Sequence, residues 1–239
     1  MEQLPDLDKA IPGWSTGKWT VPDWKFDRTP ALIINHMQEG IVGEGRISGA
    51  PKEQTHAYLK SHPYIIANQK KLLAAFREKK LPIFFISVVT NPVGAVPKWG
   101  FIFRMVSARS PLGTVDNPEV KELVQVIPEM GRRPEEPLLY HTLGGLFAGT
   151  SLEELMRPYG VQEMVITGFT AHSTVYNSVI EAIGKGYSVV IPRDSTGSPG
   201  RDQGCDEFVF DRLMPMYALV TTTDDVIKHL PQGKAASVK

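Results

Sequence analysis

The chain has 239 residues, 42% of them hydrophobic, with 26 basic and 26 acidic side chains and a single cysteine, Cys205. Zero formal charge and the lack of a basic cluster exclude nucleic acid and an anionic membrane surface as main partners. One cysteine excludes an internal disulfide framework, no apolar run nears the roughly 20 residues that span a bilayer, and MEQLPDLDKAIPGW has no signal-like layout; the reading is a soluble cytoplasmic protein.

Residues 1–30 form an arm carrying Pro5, Pro12, Trp14, Trp19, Pro22, Trp24 and Pro30. Three tryptophans in an irregular segment are expected to pack onto the body or a neighbouring subunit. ALIINHM (31–37) is a short apolar run, read as a buried strand ending near His36. The stretch SHPYIIANQKKLLAAFREKK is a helix with Ser61 as N-cap, and Ile65, Gln69, Leu72, Leu73 and Phe76 on one face. LPIFFISVV (81–89) is a second strand. Residues 90–115 form a long connection punctuated by Pro and Gly, with Trp99, Phe101, Phe103 and Arg104, and a loop of this length is typical of a lid or binding loop.

PLLYH (137–141) is a third strand ending at His141. Thr150 or Ser151 then caps LEELMRPYG, with Glu153 or Glu154 closing a capping box. VQEMVITGF is strand four, STVYNSVIEAIGKG a helix with Val175, Val179, Ile180 and Ile183 inside, and YSVVIPRD strand five. CDEFVFDRLMPMY is a helix in which Cys205 is expected to be a buried, inert thiol. ALVTT is a last strand, and TDDVIKHL a terminal helix capped by Thr223 or Asp224. Residues 231–239 read as a disordered tail. Alternating strand and helix over 31–230 predicts one α/β domain, a parallel sheet with helices on both faces and ligand chemistry at the carboxyl ends of its strands.

Histidines mark those ends: His36 closes strand one, His141 closes strand three and His172 follows strand four. Around His172, the hydroxyls of Thr170, Ser173 and Thr174 crowd a junction where strand four gives way to a helix N-terminus that favours a developing anion. Thr174 or Ser173 also suits a plain N-cap role there.

The order of motifs resembles the isochorismatase-like (cysteine hydrolase) superfamily. ALIINHMQ resembles its ALLVIDMQ strand, YHTLGGLFAGTSLEELMRPYGVQEMVITGFTAHSTV its long central stretch, and AIGKGYSVVIPRDSTGS the segment that follows. The resemblance implies a three-layer α/β/α fold with a roughly six-stranded parallel sheet, and a homodimer or homotetramer. It also implies that all three usual catalytic side chains are replaced: the aspartate position falls on His36, the lysine on His141 and the nucleophilic cysteine on Thr174. The family's cis peptide and oxyanion region would fall on Thr170-Ala171. Gly40 stands where nicotinamidase-like members place an acidic residue that supports metal.

A thiolate attacks readily near neutral pH, whereas a threonine hydroxyl must lose its proton to a base. His36 is a candidate base for Thr174. No acidic residue that would orient such a triad is evident. A second reading needs no nucleophile: by resemblance to isochorismatases that act by protonation, His36 and His141 carry protons and Thr174 hydrogen-bonds the substrate. The three substitutions fit this reading better. Zinc held by His36, His141 and His172, a lyase on the same fold and a non-catalytic small-molecule-binding protein are further alternatives. The expectation is an atypical hydrolase that needs no cofactor or metal and acts on a small, partly apolar substrate. His172, Trp99, Phe101, Phe103, Arg104, Thr170, Ala171 and Ser173 are its candidate substrate contacts, with Arg104 suited to a carboxylate.

Overall fold

The computed structural model describes residues 23–42, 61–89, 116–142, 144–198 and 204–233, together with Lys9, Gly13, Val21 and Leu59. Trp14, Trp19, and the connection with Trp99, Phe101, Phe103 and Arg104 lie outside the described residues.

The elements follow in chain order: β1 (Thr29–Asn35), α1 (Tyr64–Glu78), β2 (Ile83–Val88), α2 (Pro118–Leu123), β3 (Leu138–His141), α3 (Leu152–Met156), β4 (Val161–Phe169), a π-helical turn (Ala171–Val175), α4 (Tyr176–Gly184), β5 (Ser188–Pro192), β6 (Thr196–Gly197), α5 (Asp206–Phe208), β7 (Leu219–Thr221) and α6 (Thr223–His229). The strands form one seven-stranded parallel sheet in the order β3-β2-β1-β4-β5-β7, with the two-residue β6 paired to β4. Apart from β6, the expected strands are all present.

Side chains alternate across a strand, so a strand covered on both faces reads as an unbroken apolar run. In β1, Leu32 and Ile34 join a core with α1 and α6 residues such as Leu72, Phe76 and Val226. Ala31 and Ile33 join the opposite core with Leu152 and Met156 of α3 and Val179 and Ala182 of α4. The result is a three-layer α/β/α arrangement. Among the described residues no helix is long and apolar enough to cross a membrane.

Several local expectations are corrected. Ser61 does not cap α1: its hydroxyl meets His62, and Pro63 occupies the cap without a side-chain bond. Neither Thr150 nor Ser151 forms a capping box; Thr150 donates to the Leu146 carbonyl and accepts a long bond from the Leu152 N–H. Ile180 is 37% exposed, and α4 buries Ser178, Val179 and Ala182 instead. Cys205 is exposed, because the segment behind it opens as a three-residue helix at the surface rather than as one long amphipathic helix. Thr222, not Thr223 or Asp224, caps α6 by accepting from the Asp225 N–H. Of the expected tail, Gly233 is described and donates its N–H to the Lys79 carbonyl at 2.7 Å. Trp24 of the arm docks on the body: its indole donates to Asp225 at 2.9 Å and lies tilted against the His229 ring, centroids 4.4 Å apart.

The chain leaves β1 for β2 and β3 on one side and returns with β4 on the other, which makes the crevice beyond β1 and β4 the topological switch point where such sheets bind ligands. There the two strands approach closely, with Gly168 opposite Asn35. Gly168 has φ of +113°, and a Cβ on it would overlap the Asn35 carbonyl oxygen and lie 3.0 Å from the Asn35 nitrogen. Gly168→Ala therefore carries both backbone strain and a steric clash. Its unfolding free energy in a denaturant titration should fall by about 3 kcal/mol or more; a loss under about 1 kcal/mol would mean that the strands part easily.

Candidate active site

Strands in a sheet lie about 4.8 Å apart, so residues at the ends of β1 and β3 start roughly 10 Å apart with β2 between them. The imidazoles of His36 and His141 bridge that gap. His36 follows β1 in a left-handed conformation (φ 52°), and its N–H still donates to the Ile86 carbonyl of β2 at 2.8 Å. His141 ends β3 opposite Val88. Their Nε2 atoms lie 2.6 Å apart, and the rings are 3% and 1% exposed.

Gln38 holds this end of the sheet together. It accepts from the Val88 N–H at 2.7 Å and donates to the Val88 and Leu123 carbonyls at 3.1 Å each. The His141 carbonyl accepts from the Val89 N–H. Sequence reasoning passed over Gln38, whose partners lie 50 and 85 residues further along the chain.

Two nitrogens this close require one to donate and the other to accept. Burial, with the neighbouring His141, holds His36 well below its usual 6.5. Burial pushes His141 down to about 4, against a smaller opposing effect of the Gly145 backbone. A doubly protonated pair is thus strongly disfavoured, and the pair titrates as a unit. The other nitrogen of His141, Nδ1, is buried without a hydrogen-bond partner of good geometry. One of the two proton placements that fit this contact puts hydrogen on Nδ1 of His141, so that its Nε2 accepts from Nε2–H of His36. Nδ1 of His36 is then left with a lone pair.

Beyond β4 the chain enters the π-helical turn, in which the Thr170 carbonyl accepts from the N–H groups of Ser173 and Val175. Thr174 and Ser173 do not act as N-caps; Thr170 occupies the cap position of the turn and Val175 that of α4, neither with a side-chain bond. The cis peptide lies at Phe169-Thr170, one residue before the expected place. Ala171 and Thr174 are buried, and Ser173 is half-buried. The Thr174 carbonyl accepts from the Ser178 hydroxyl at 2.6 Å, and Ser178 in turn meets Nδ2 of the buried Asn35 at 3.4 Å. No hydrogen bond joins the Thr174 hydroxyl to His36 or His141 among the described residues.

His172 projects elsewhere: its Nδ1 meets the Ser198 hydroxyl at 2.9 Å, and the Ser198 N–H donates to Asp206. Among the described residues no group of three or more His, Cys, Asp or Glu is arranged to hold a metal ion. The three-histidine zinc arrangement is therefore not formed, since His36 and His141 aim their Nε2 atoms at each other.

The isochorismatase domain model matches residues 30–225. The chain belongs to the isochorismatase domain family. It is 25% identical over 214 residues to N-carbamoylsarcosine amidase of Arthrobacter sp., across 86% of this chain and 72% of that protein. Among solved structures, a cysteine hydrolase from Pseudomonas syringae pv. phaseolicola superposes with a TM-score of 0.67 at 16% identity, covering 87% of this chain and 95% of that one. N-carbamoylsarcosine amidase from Thermoplasma acidophilum does so with 0.61 at 20%, covering 82% and 97%. At these identities the structural likeness speaks to the fold. By family this isochorismatase-like chain is a hydrolase.

The pair makes a stability prediction. Each imidazole has a lower pKa folded than unfolded, so the unfolded chain binds more protons as pH falls below 6.5. The stabilisation is present above 6.5 and drains away on descent towards about 4. The slope is about 1.4 kcal/mol per pH unit for each proton taken up. Urea unfolding from pH 7.5 to 4.5 should show a steeper loss for the native protein than for a His36→Leu/His141→Leu double variant. Parallel curves would mean that the pair is not held neutral by the fold.

Proposed function

We propose that this isochorismatase-like hydrolase cleaves a small amide-type substrate by water attack, with His36 as general base and without a covalent intermediate. The observation that carries the reading is the buried Nε2···Nε2 contact of 2.6 Å, which ties two imidazoles at the ends of β1 and β3 into one unit able to carry a proton. The amide class is suggested by the relative from Arthrobacter sp. and applies here as part of the proposal.

In this mechanism Nδ1 of His36 removes a proton from water while the oxygen adds to the carbonyl carbon. The ring, now protonated, is stabilised by its Nε2–H bond to Nε2 of His141, a charge-assisted bond stronger than its neutral counterpart. His36 then returns the proton to the leaving nitrogen as the carbon–nitrogen bond breaks, releasing an acid and an amine. Thr174, buried in the π-helical turn, hydrogen-bonds the substrate. Thr170, Ala171 and Ser173 of the same turn are assigned to substrate binding with it, while His172, which turns to Ser198, and Trp99, Phe101, Phe103 and Arg104 are assigned on sequence grounds alone. A Thr174 nucleophile fits less well, since no imidazole holds its hydroxyl in the described residues.

Amine or ammonia release from a panel of small carboxamides and N-carbamoyl amines tests the proposal. His36→Ala should lower kcat/KM by roughly 10²–10⁴-fold. Thr174→Ala should cost about tenfold or less, the scale of one neutral hydrogen bond. The acid limb of kcat/KM should lie below the ordinary histidine value of 6.5, because burial keeps His36 unprotonated there. Abolition of turnover by Thr174→Ala, with an acyl-enzyme seen by mass spectrometry in the native protein, would replace this mechanism with nucleophilic catalysis. Saturable binding without turnover of any panel member would remove the hydrolytic reading for this substrate class.

A further inference from the structure

At the amino-terminal end of the sheet lies a cavity of about 430 Å³, a volume within the range of small-molecule sites. It sits where the turn after α1 enters β2 and where Pro137 leads into β3. β2 is six residues long, and its far end carries Val88, which pairs with His141 and bonds Gln38. Roughly 17 Å of strand therefore separates this cavity from the imidazole pair. Leu81, Phe84 and Leu155 give it an apolar wall.

The charged groups around it are unevenly partnered. Glu136 is 6% exposed and fully engaged: Arg77 grips its two oxygens at 2.7 and 2.9 Å, and the Arg133 N–H donates to it at 2.8 Å. Arg77 also donates to the Gly131 carbonyl at 2.8 Å. This bidentate pair neutralises the one buried carboxylate and holds the wall in place. The guanidinium of Arg133, the ammonium of Lys80 and the hydroxyl of Tyr159 line the same cavity and make no hydrogen bond or ion pair with another described residue. With Arg77 and Glu136 cancelling each other, these two cations stand against a single exposed carboxylate, Glu135, so the cavity keeps a positive charge.

Lys80 occupies a position that its backbone does not favour. It follows the C-cap Lys79 of α1 with φ of 56°. Its N–H bonds the Arg77 carbonyl and the Leu81 N–H bonds the Phe76 carbonyl, the helix ending in which glycine is usual. A lysine here brings a cation to the cavity rim at some backbone cost, and no internal carboxylate is paired with it among the described residues.

We propose that this cavity is a second small-molecule site, separate from the candidate active site, and that it takes a monocarboxylate with an apolar body. Arg133, whose planar fork matches a carboxylate, and Lys80 supply the charge. Leu81, Phe84 and Leu155 receive the apolar part. One net positive charge suits a singly charged head better than a dianion.

Titration of the full-length protein with phenylacetate, followed by amide nitrogen–proton spectra, tests the site. Saturable shifts should cluster at residues 80–84, 133–137 and 155–159, and should persist in the His36→Leu/His141→Leu double variant. Lys80→Gln/Arg133→Gln should weaken binding about tenfold or more, the scale of lost charge-assisted bonds. Both side chains are exposed, so the fold should survive, and melting curves check it. Glu135→Gln removes the opposing charge and should tighten binding, a gain that misfolding would not produce. Phenylacetamide, which lacks the charge, and acetate, which lacks the ring, should each bind more weakly than phenylacetate. Shifts confined to the other end of the sheet, undiminished affinity in Lys80→Gln/Arg133→Gln, or equal affinity for phenylacetate and either analogue would overturn the proposal.

Discussion

The hydrogen bond between Nε2 of His36 and Nε2 of His141 is the constraint around which this end of the molecule is organised. A buried imidazole is costly to charge, and two in contact are costlier still. The fold meets that cost by keeping the pair neutral and letting one proton serve both rings. Everything that brings β1 and β3 into register across β2, above all the three bonds of Gln38, also sets the distance between the two rings.

The second determinant is the closeness of β1 and β4. Gly168 lets the carbonyl of Asn35 approach where any other residue would be obstructed. The pairing of the two strands runs to Asn35 and Gly168, and His36 and the π-helical turn follow directly beyond it. Asn35 then reaches Ser178, whose hydroxyl bonds the Thr174 carbonyl, so the same strand end that delivers His36 also steadies the turn opposite. The fully buried Asn35 keeps one carbonyl oxygen without a partner, a local cost borne by this geometry.

Much of the fold was legible because its strands are covered on both faces and so appear as continuous apolar runs: β4 matches its expected span residue for residue. β6 was not, since two residues carry no periodicity and the strand exists only through its pairing with β4. The cap of α6 shows a different limit. Three threonines stand in a row, and tertiary contacts choose among them: Thr221 bonds Asp225, Thr223 bonds Asp194, and Thr222 is left to accept from the helix. At the candidate site, His36, His141 and the turn at Thr174 could be placed from strand ends. The partnership of the two imidazoles, and the part played by Gln38, depend on contacts between distant segments that no local pattern encodes.

Trp24 adds a point about the order of events as the chain is made. Its indole waits for Asp225, 201 residues later, and β1 beside it lies between β2 and a β4 that begins more than a hundred residues on. The central strand of the sheet is thus made more than a hundred residues before the strand that encloses it on its other side. Parallel pairing over such distances folds slowly and leaves apolar edges open in the interval. For a run as apolar as Ala31 to Ile34, that interval is when protection from aggregation matters most.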